Sequence, residues 1–119
     1  MELIAALATP PGASALGVLR LSGDGARAAA EKLLRLKSAE GWLPRKALVA
    51  EALADGEVLD EVVAVYFPGP STATGEDLLE ITAHGSPLIL RRLLAAAFAA
   101  GARPAATGEF TQRWFLNGR

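Results

Sequence analysis

Cysteine is absent from this chain of 119 residues, and histidine occurs only once, at His84. The lack of cysteine excludes disulfide bonds, a thiolate nucleophile and cysteine-based zinc sites. A single imidazole likewise excludes metal centres built from several histidines. Carboxylate-only binding of Mg²⁺ or Ca²⁺ is compatible with the composition, but no run of acids has the spacing of a calcium loop. We therefore predict no metal site, and no catalytic triad, because one histidine without a paired nucleophile does not make one.

The chain also lacks an excess of charge and a long apolar segment. Twelve basic residues against thirteen acidic ones leave a formal net charge of −1, which offers no global reason to expect a nucleic-acid partner. The longest apolar run, residues 93–100, is too short to cross a bilayer, and the acidic start differs from the basic start of a signal peptide. No G-x-x-x-x-G-K-[ST] motif occurs, so binding of GTP through a P-loop is not expected. These absences predict a cytoplasmic protein that is not embedded in a membrane.

What is present predicts one globular domain, because 51% of the residues are hydrophobic and 21% are charged. The hydrophobic pattern indicates an α+β fold, a mixed β-sheet with packed helices. Strands are expected at residues 3–8, 15–22, 46–53, 57–67 and 78–83. Helices are expected in 23–37, at 88–100 and in 108–118.

Turn and capping residues mark the ends of these elements. Asp55-Gly56, between two of the predicted strands, is a strong hairpin signal. Three residues are expected to cap the N-termini of helices and one to cap a C-terminus: Asp24, Ser86 and Thr107, and Gly101. In the first helix, the residues in helical phase are Ala30, Leu33, Leu34 and Lys37.

Glu80 is the most informative acid of the segment GEDLLEITAHG, residues 75–85. In the predicted strand it shares a face with Leu78 and Thr82, opposite an apolar set. A carboxylate there can accept two parallel N–H bonds from a planar, guanidine-like edge, such as the 2-amino-4-oxo edge of a pterin. A solvated glutamate on a half-exposed strand is the alternative.

The other polar residues of this segment have more local interpretations. Glu76 and Asp77 follow a glycine in a loop, where acids commonly form turns, so structural roles are expected for both. His84 lies between a strand and a helix start, where we favour simple packing over proton transfer or a ligand contact.

Arg20 is a charged residue in an otherwise apolar predicted strand. Alternation places Leu19 and Leu21 on one face and Val18, Arg20 and Ser22 on the other. Because a buried charge is costly unless it is paired, we expect Arg20 to meet either a carboxylate or an anionic ligand. Glu80 on a neighbouring strand is the natural carboxylate, and a purely structural ion pair is the alternative to ligand binding.

Two further stretches allow competing interpretations. The segment TPPGASAL, residues 9–16, could form a lid or a phosphate-cradling turn, although one glycine is weak support for either. Near the end of the chain, Arg113, Trp114, Phe115 and Arg119 interleave cations with aromatic rings, a pattern that can stack nucleic-acid bases. An amphipathic helix that docks by its aromatic face needs the same spacing, and we favour docking.

Five segments together resemble one family, the N-terminal domain of the tRNA-modification GTPases called MnmE or TrmE. They are IAALATPPG (4–12), GVLRLSG (17–23), VLDEVVAVYFPGP (58–70), TGEDLLEITAHG (74–85) and GEFTQRWFLNGR (108–119). They lie in order from one end of the chain to the other, which makes the resemblance far more specific than any single motif.

The resemblance implies a fold like the folate-binding domain of the glycine-cleavage aminomethyltransferase. It also implies that residues 1–119 form a single domain that binds a tetrahydrofolate carrier, of the 5-formyl-tetrahydrofolate type, and forms a homodimer. The family protein acts with an FAD-dependent partner, called MnmG or GidA, and adds an aminomethyl-type group to carbon 5 of the tRNA wobble uridine. GTP, Mg²⁺ and K⁺ belong to a separate GTPase domain, so this chain alone is expected neither to hydrolyse GTP nor to modify tRNA.

Three positions of the family's folate site carry over by resemblance: Arg20, Glu80 and Arg119. Glu80 would bind the amino-oxo edge of the pterin, and the two arginines would contact polar or anionic parts of the carrier. The flanking Glu76, Asp77 and His84 would shape the loop and a dimer-facing pocket.

The chain departs from the family pattern at 13–15, at Ser86, at Thr107 and at Arg119, where lysine is usual. Less glycine stiffens a loop, and arginine keeps the charge of lysine but not its hydrogen-bond geometry. The family's helical and GTPase domains and its C-terminal cysteine motif are missing, so the chain is expected to be an excised domain or fragment. The main alternative is a dimerisation scaffold with a non-functional folate pocket. A self-contained folate-dependent transferase and a direct tRNA-binding domain are less favoured.

Overall fold

The computed structural model describes residues 1–8 and 15–118, which form a β-sheet with helices packed against its two faces. The elements in chain order are β1 (Ile4–Leu7), β2 (Leu16–Ser22), α1 (Ala26–Leu33), β3 (Leu34–Leu36), β4 (Leu48–Ala54), β5 (Glu57–Phe67), β6 (Leu78–His84), α2 (Pro87–Ala99), β7 (Arg103–Pro104) and α3 (Glu109–Leu116). Within the described residues the strands form one mixed sheet in the order β3-β4-β5-β6-β2-β1-β7. The predicted α+β fold is confirmed.

Strand pairing in the sheet follows the hydrophobic alternation of the sequence. All neighbouring strands are antiparallel except β1 and β7, which are parallel. The β4–β5 hairpin turns at Asp55 and Gly56, whose φ angles of 51° and 77° are both positive. Such a pair of left-handed residues matches the twist of the flanking strands, so the hairpin prediction is confirmed.

The hydrophobic core lies between one face of the sheet and helices α1 and α2. Leu19 and Leu21 of β2 and Leu79 and Ile81 of β6 are fully buried there. Gly17 lies on the same face, where a Cβ atom would come within 2.6 Å of the Leu90 side chain, so this leucine of α2 packs directly against the glycine backbone. We call this the inner face of the sheet.

The first helix is shorter than predicted. It ends at Leu33, and Leu34–Leu36 forms β3, which pairs with β4, so the expected helical phase of Leu34 and Lys37 is wrong. Arg35 is exposed between the less exposed Leu34 and Leu36, which is the alternation of a strand. Pairing with the edge of β4 outweighs the local helical pattern.

Helix caps were predicted with mixed success. Ser86 caps α2, since its side-chain oxygen accepts a hydrogen bond from the backbone N–H of Ile89 at 3.4 Å. Asp24 and Thr107 do not cap helices: glycines 25 and 108 occupy these positions with positive φ. Helix α2 has its C-cap at Ala100, one residue before the predicted Gly101, whose φ is 113°.

Candidate functional site

Arg20 and Glu80 are direct neighbours on the outer face of the sheet, opposite α1 and α2. The antiparallel register of β2 and β6 pairs their Cα atoms, and Arg20 Nε lies 3.6 Å from Glu80 Oε2. The side chains are 43% and 27% exposed, so solvent and ligands can reach both. The predicted meeting of Arg20 with this carboxylate is confirmed.

The Arg20 guanidinium is not fully satisfied by this contact. At 3.6 Å the approach is an ion pair and not a hydrogen bond. Nε itself is buried, and no atom of residues 1–8 or 15–118 accepts a hydrogen bond from it. Buried donors normally have a partner. Because the side chain as a whole is 43% exposed, a polar or anionic ligand can still reach the guanidinium beside Glu80.

A pocket of about 320 Å³ opens beside Arg20 on the outer face. Helix α3 crosses this side of the sheet and supplies one wall, and the loop before β6 supplies another. Its lining includes Arg20, Thr74, Leu78, Phe110, Thr111 and Trp114. The pocket thus combines a guanidinium, two hydroxyl groups and two aromatic rings.

Arg113 holds the wall of this pocket in place. Its side chain is only 3% exposed and donates from Nη1 to Glu76 Oε1 at 3.0 Å and to the backbone oxygen of Ser22 at 3.3 Å. Nη2 donates to Glu109 Oε2, one helical turn earlier, at 3.4 Å. One buried cation therefore connects α3, β2 and the loop before β6.

Polar contacts around Arg113 extend this connection. The hydroxyl oxygens of Ser22 and Thr74 are 2.6 Å apart, and Ser22 Oγ donates to Glu76 Oε1 at 2.8 Å. The amide nitrogen of Asn117 donates to the backbone oxygen of Thr74 at 2.9 Å. The pocket wall is therefore preorganised by hydrogen bonds among buried and half-buried groups.

Glu109, the first residue of α3, also accepts hydrogen bonds from a second arginine, Arg103 of β7. Arg103 Nη1 donates to Glu109 Oε1 at 2.8 Å, and Arg103 Nε donates to Glu2 Oε1 at 2.6 Å. Hydrogen bonds from Arg103 and from the backbone N–H of Ala106 lower the pKa of Glu109 to about 2. The same pairing raises the pKa of Arg103. These charges remain ionised near neutral pH and fix the start of α3.

The acids before Glu80 have the structural roles that were expected. Glu76 is bound to Arg113 and Ser22, as described, and Asp77 Oδ1 accepts a hydrogen bond from the backbone N–H of Gly69 at 2.8 Å. Burial, together with the Asp77 carboxylate, raises the pKa of Tyr66. Both acids shape the loop between β5 and β6. A role in a dimer-facing pocket stays a prediction.

His84 is exposed at the end of β6 and is not packed in the core. Its Nδ1 lies 2.8 Å from Asp60 Oδ1, and its backbone N–H donates to Asp60 Oδ2 at 2.9 Å. The simple packing that we favoured is therefore wrong, because the side chain is 68% exposed. Asp60 on β5 holds the imidazole in place. The sequence gave no signal for this contact, because Asp60 lies 24 positions before His84.

Two sequence predictions fall on residues outside the described part of the chain. Arg119, the third position carried over from the family's folate site, is one of them. The proposed lid or phosphate-cradling turn, apart from residues 15 and 16, is the other. The two remaining site residues, Arg20 and Glu80, lie side by side.

The predicted docking of α3 by its aromatic face is wrong within this chain. The buried residues of the helix are Glu109 and Arg113, whereas Trp114 and Phe115 are 40% and 67% exposed. Docking depends on polar contacts instead: Arg113 is bound to Glu76 in the loop before β6 and to the backbone oxygen of Ser22 in β2. Glu109 is bound to Arg103 of β7. The i, i+4 spacing of Glu109 and Arg113 was the available sequence signal for this.

The described residues show neither a metal cluster nor a membrane-spanning helix. Residues 1–8 and 15–118 contain no group of three or more histidine, cysteine or acidic side chains placed to hold a metal ion. Over the same residues no helix has the length and apolarity needed to cross a membrane.

Comparisons with known proteins place this geometry in context. A family model described as "GTP-binding protein TrmE N-terminus" matches residues 3–119. The chain is 52% identical over 119 residues to the tRNA modification GTPase MnmE of Opitutus terrae, an alignment that covers 99% of this chain and 25% of the relative. For MnmE of Thermotoga maritima the identity is 45% over 119 residues, covering 100% and 26%. For MnmE of Chromohalobacter salexigens it is 49% over 117 residues, covering 98% and 25%. The chain spans about a quarter of the length of these relatives.

Proposed function

The chain belongs to the family of the GTP-binding protein TrmE N-terminus, and we propose that it binds a tetrahydrofolate one-carbon carrier and pairs with a second copy of itself. The carrier is of the 5-formyl-tetrahydrofolate type. Residues 1–119 act as one folate-binding and dimerisation domain. The parent protein is a cytoplasmic GTPase that works in tRNA modification.

The paired Arg20 and Glu80 carry the folate proposal. The Glu80 carboxylate can accept two N–H bonds from the amino-oxo edge of a pterin, which is a planar donor pair of matching spacing. The exposed part of the Arg20 guanidinium, whose Nε lies 3.6 Å from that carboxylate, can donate to a carbonyl or carboxylate of the same ligand. Arg119 is proposed to add a second positive charge. The bound carrier would supply the one-carbon unit, and these side chains would bind and orient it.

The open outer face of the sheet supports the dimer. Leu16, Val49 and Val63 are 56%, 46% and 41% exposed, and they line or adjoin one shallow depression on this face. Scattered exposed apolar residues are ordinary, but a cluster on a sheet face is typical of an interface. A second copy can cover it by two-fold symmetry, in which the same surface contacts itself.

We propose that other domains of the full-length protein carry its GTPase and tRNA-modifying activities. With an FAD-dependent partner of the MnmG or GidA type, the full-length protein would add an aminomethyl-type group to carbon 5 of the tRNA wobble uridine. GTP, Mg²⁺ and K⁺ would bind in its GTPase domain, since the sequence of this chain has no P-loop motif. The folate domain would position the one-carbon donor for that reaction.

Titration calorimetry of 5-formyl-tetrahydrofolate into the chain tests the folate proposal. We expect saturable binding that Glu80→Ala weakens by about a hundredfold or more, because two charge-assisted hydrogen bonds are lost. Glu51→Ala is the matched control: Glu51 is also 27% exposed in a strand and also pairs with an arginine, Arg35. Glu51→Ala should leave the affinity unchanged. A folded, dimeric wild type that does not bind the carrier would be a dimerisation scaffold instead.

A further inference from the structure

The pocket beside Arg20 has an aromatic wall that the contacts of Arg20 and Glu80 do not use. Trp114 and Phe110, one helical turn apart on α3, line the same side of it, and Leu78 of β6 lines the sheet side. Trp114 is 40% exposed at the mouth of the pocket. A flat ring that enters the pocket would therefore contact aromatic side chains of α3 and an aliphatic side chain of the sheet.

The indole contacts a neighbouring aromatic ring, and its helix is anchored to the sheet. Its ring centroid lies 4.7 Å from that of Phe115 with the planes at 68°, an edge-to-face contact. The preceding residue, Arg113, is buried and bound to Ser22 and Glu76. An aromatic side chain on an anchored helix loses less conformational entropy when a ligand ring stacks on it than one on a mobile segment would.

The hydrogen-bonding groups of the pocket match one part of a folate better than the other. Among the described residues of its lining, Arg20, Thr74, Thr111 and the Trp114 indole can donate hydrogen bonds from their side chains, and none of them carries a carboxylate. A pterin presents an edge of N–H donors that needs a carboxylate acceptor, which Glu80 offers outside this pocket. An aryl amide presents an apolar ring and a carbonyl acceptor, which match the aromatic wall and the Arg20 donor.

We propose that this pocket binds the p-aminobenzoyl ring of the carrier, stacked on Trp114, with the amide carbonyl toward Arg20. The inference rests on the proposed folate function and adds to it a residue that determines which part of the ligand binds where. Glu80 Oε2 lies 3.6 Å from Arg20 Nε, so the two ligand sites adjoin. The methylene-amine linker of a folate separates its two ring systems by two atoms, which suits adjoining sites.

The chain carries a built-in reporter for this contact. It has two tryptophans, Trp42 and Trp114, so Trp42→Phe leaves Trp114 as the single source of indole emission. In this background we would titrate two probes, 5-formyl-tetrahydrofolate and p-aminobenzoyl-glutamate, and follow Trp114 emission with correction for probe absorbance. Both probes are expected to quench it saturably.

Calorimetry with substitutions at the wall supplies an independent measurement. Trp114→Ala should weaken 5-formyl-tetrahydrofolate binding by about tenfold, since the stacking of a ring on an aromatic side chain is lost. Trp114→Phe should retain most of the affinity. Leu116→Ala is the control, because Leu116 is 66% exposed on the same helix but does not line the pocket. Circular dichroism would verify that each variant is folded.

Each outcome separates this inference from the proposed function. Binding of the carrier that depends on Glu80, with Trp114 emission unchanged and Trp114→Ala at wild-type affinity, overturns the inference and leaves the folate function intact. Saturable quenching by p-aminobenzoyl-glutamate without any binding of the carrier supports the pocket assignment and overturns the folate function. Quenching by neither probe overturns the assignment whatever calorimetry shows for the carrier.

Discussion

Arg113 and Glu76 form an ion pair of 3.0 Å in which the side chains are 3% and 8% exposed. Glu109 also contacts this guanidinium, so one buried cation faces two carboxylates. Taking such charges out of water is costly, and the pair is stable only because hydrogen bonds satisfy most of its polar atoms. Its position decides how α3 lies against the sheet.

Replacing Arg113 with methionine should destabilise the protein strongly. The substitution leaves Glu76 and Glu109 without their buried partner, and removing one member of such a pair costs about 3 to 5 kcal/mol. Urea denaturation would measure the loss in the free energy of unfolding. Arg35→Met is the control, since Arg35 is 61% exposed in its pair with Glu51 and should cost less than about 1 kcal/mol. Adding Glu76→Gln to Arg113→Met should recover part of the loss; a further loss would contradict this account.

Gly23 should not tolerate a side chain. It has φ of 128°, and a Cβ atom there would lie 2.6 Å from the backbone oxygen of Glu2. We expect Gly23→Ala to lower the free energy of unfolding by about 3 kcal/mol, because backbone strain adds to a clash with main-chain atoms. Gly25→Ala is the matched control: its φ is 86°, but nothing lies within 4 Å of the added atom. That variant should lose only about 1 to 2 kcal/mol. Equal losses in the two variants would contradict the contact with Glu2.

The ion pair of Glu109 should make stability depend on pH in the acidic range. Hydrogen bonds from Arg103 hold the pKa of Glu109 at about 2, below the ordinary value of 4.5. A lowered pKa in the folded state contributes stability that is fully present above 4.5 and is lost as the pH falls toward 2. The difference in unfolding free energy between wild type and Glu109→Gln should therefore shrink over that range.

Urea unfolding at several pH values would measure this difference. Glu31→Gln controls for the loss of one negative charge, because Glu31 is 61% exposed in its pair with Arg27 on α1. If the difference in unfolding free energy between wild type and Glu109→Gln stays constant from pH 7 to pH 2, the Arg103 contact does not stabilise the folded state.

A charge on the outer face of the sheet should disrupt the proposed dimer. Val63→Glu would place a carboxylate at a position that is 41% exposed, within the apolar cluster near Val49 and Leu16. Desolvating an unpaired charge at an interface is unfavourable, so we expect a shift from dimer to monomer in sedimentation experiments. Leu88→Glu is the control, since Leu88 is 59% exposed on α2, which packs on the inner face. A wild-type chain that is monomeric at all concentrations would contradict the dimer.

Local patterns predicted most of the sheet and part of the site. The alternation in β2 and β6 placed Arg20 and Glu80 outward, because side chains of a strand point to opposite faces in turn. The Asp55-Gly56 hairpin and the Ser86 cap were predicted from residues only a few positions apart, which is the range over which turns and caps act. The helical phase of Leu34 was wrong, because its strand partner, Ala52, lies 18 positions further along the chain.

The sequence by itself determined that this is an α+β domain of the TrmE N-terminal family with an arginine and a glutamate on one exposed sheet face. Only the tertiary structure decided that Arg113 is buried and that Trp114 lines a pocket next to Arg20. Arg113 meets Ser22, 91 positions away, and Glu76, 37 positions away. Contacts at such separations depend on how strands and helices pack in three dimensions, which periodicity along the chain does not encode.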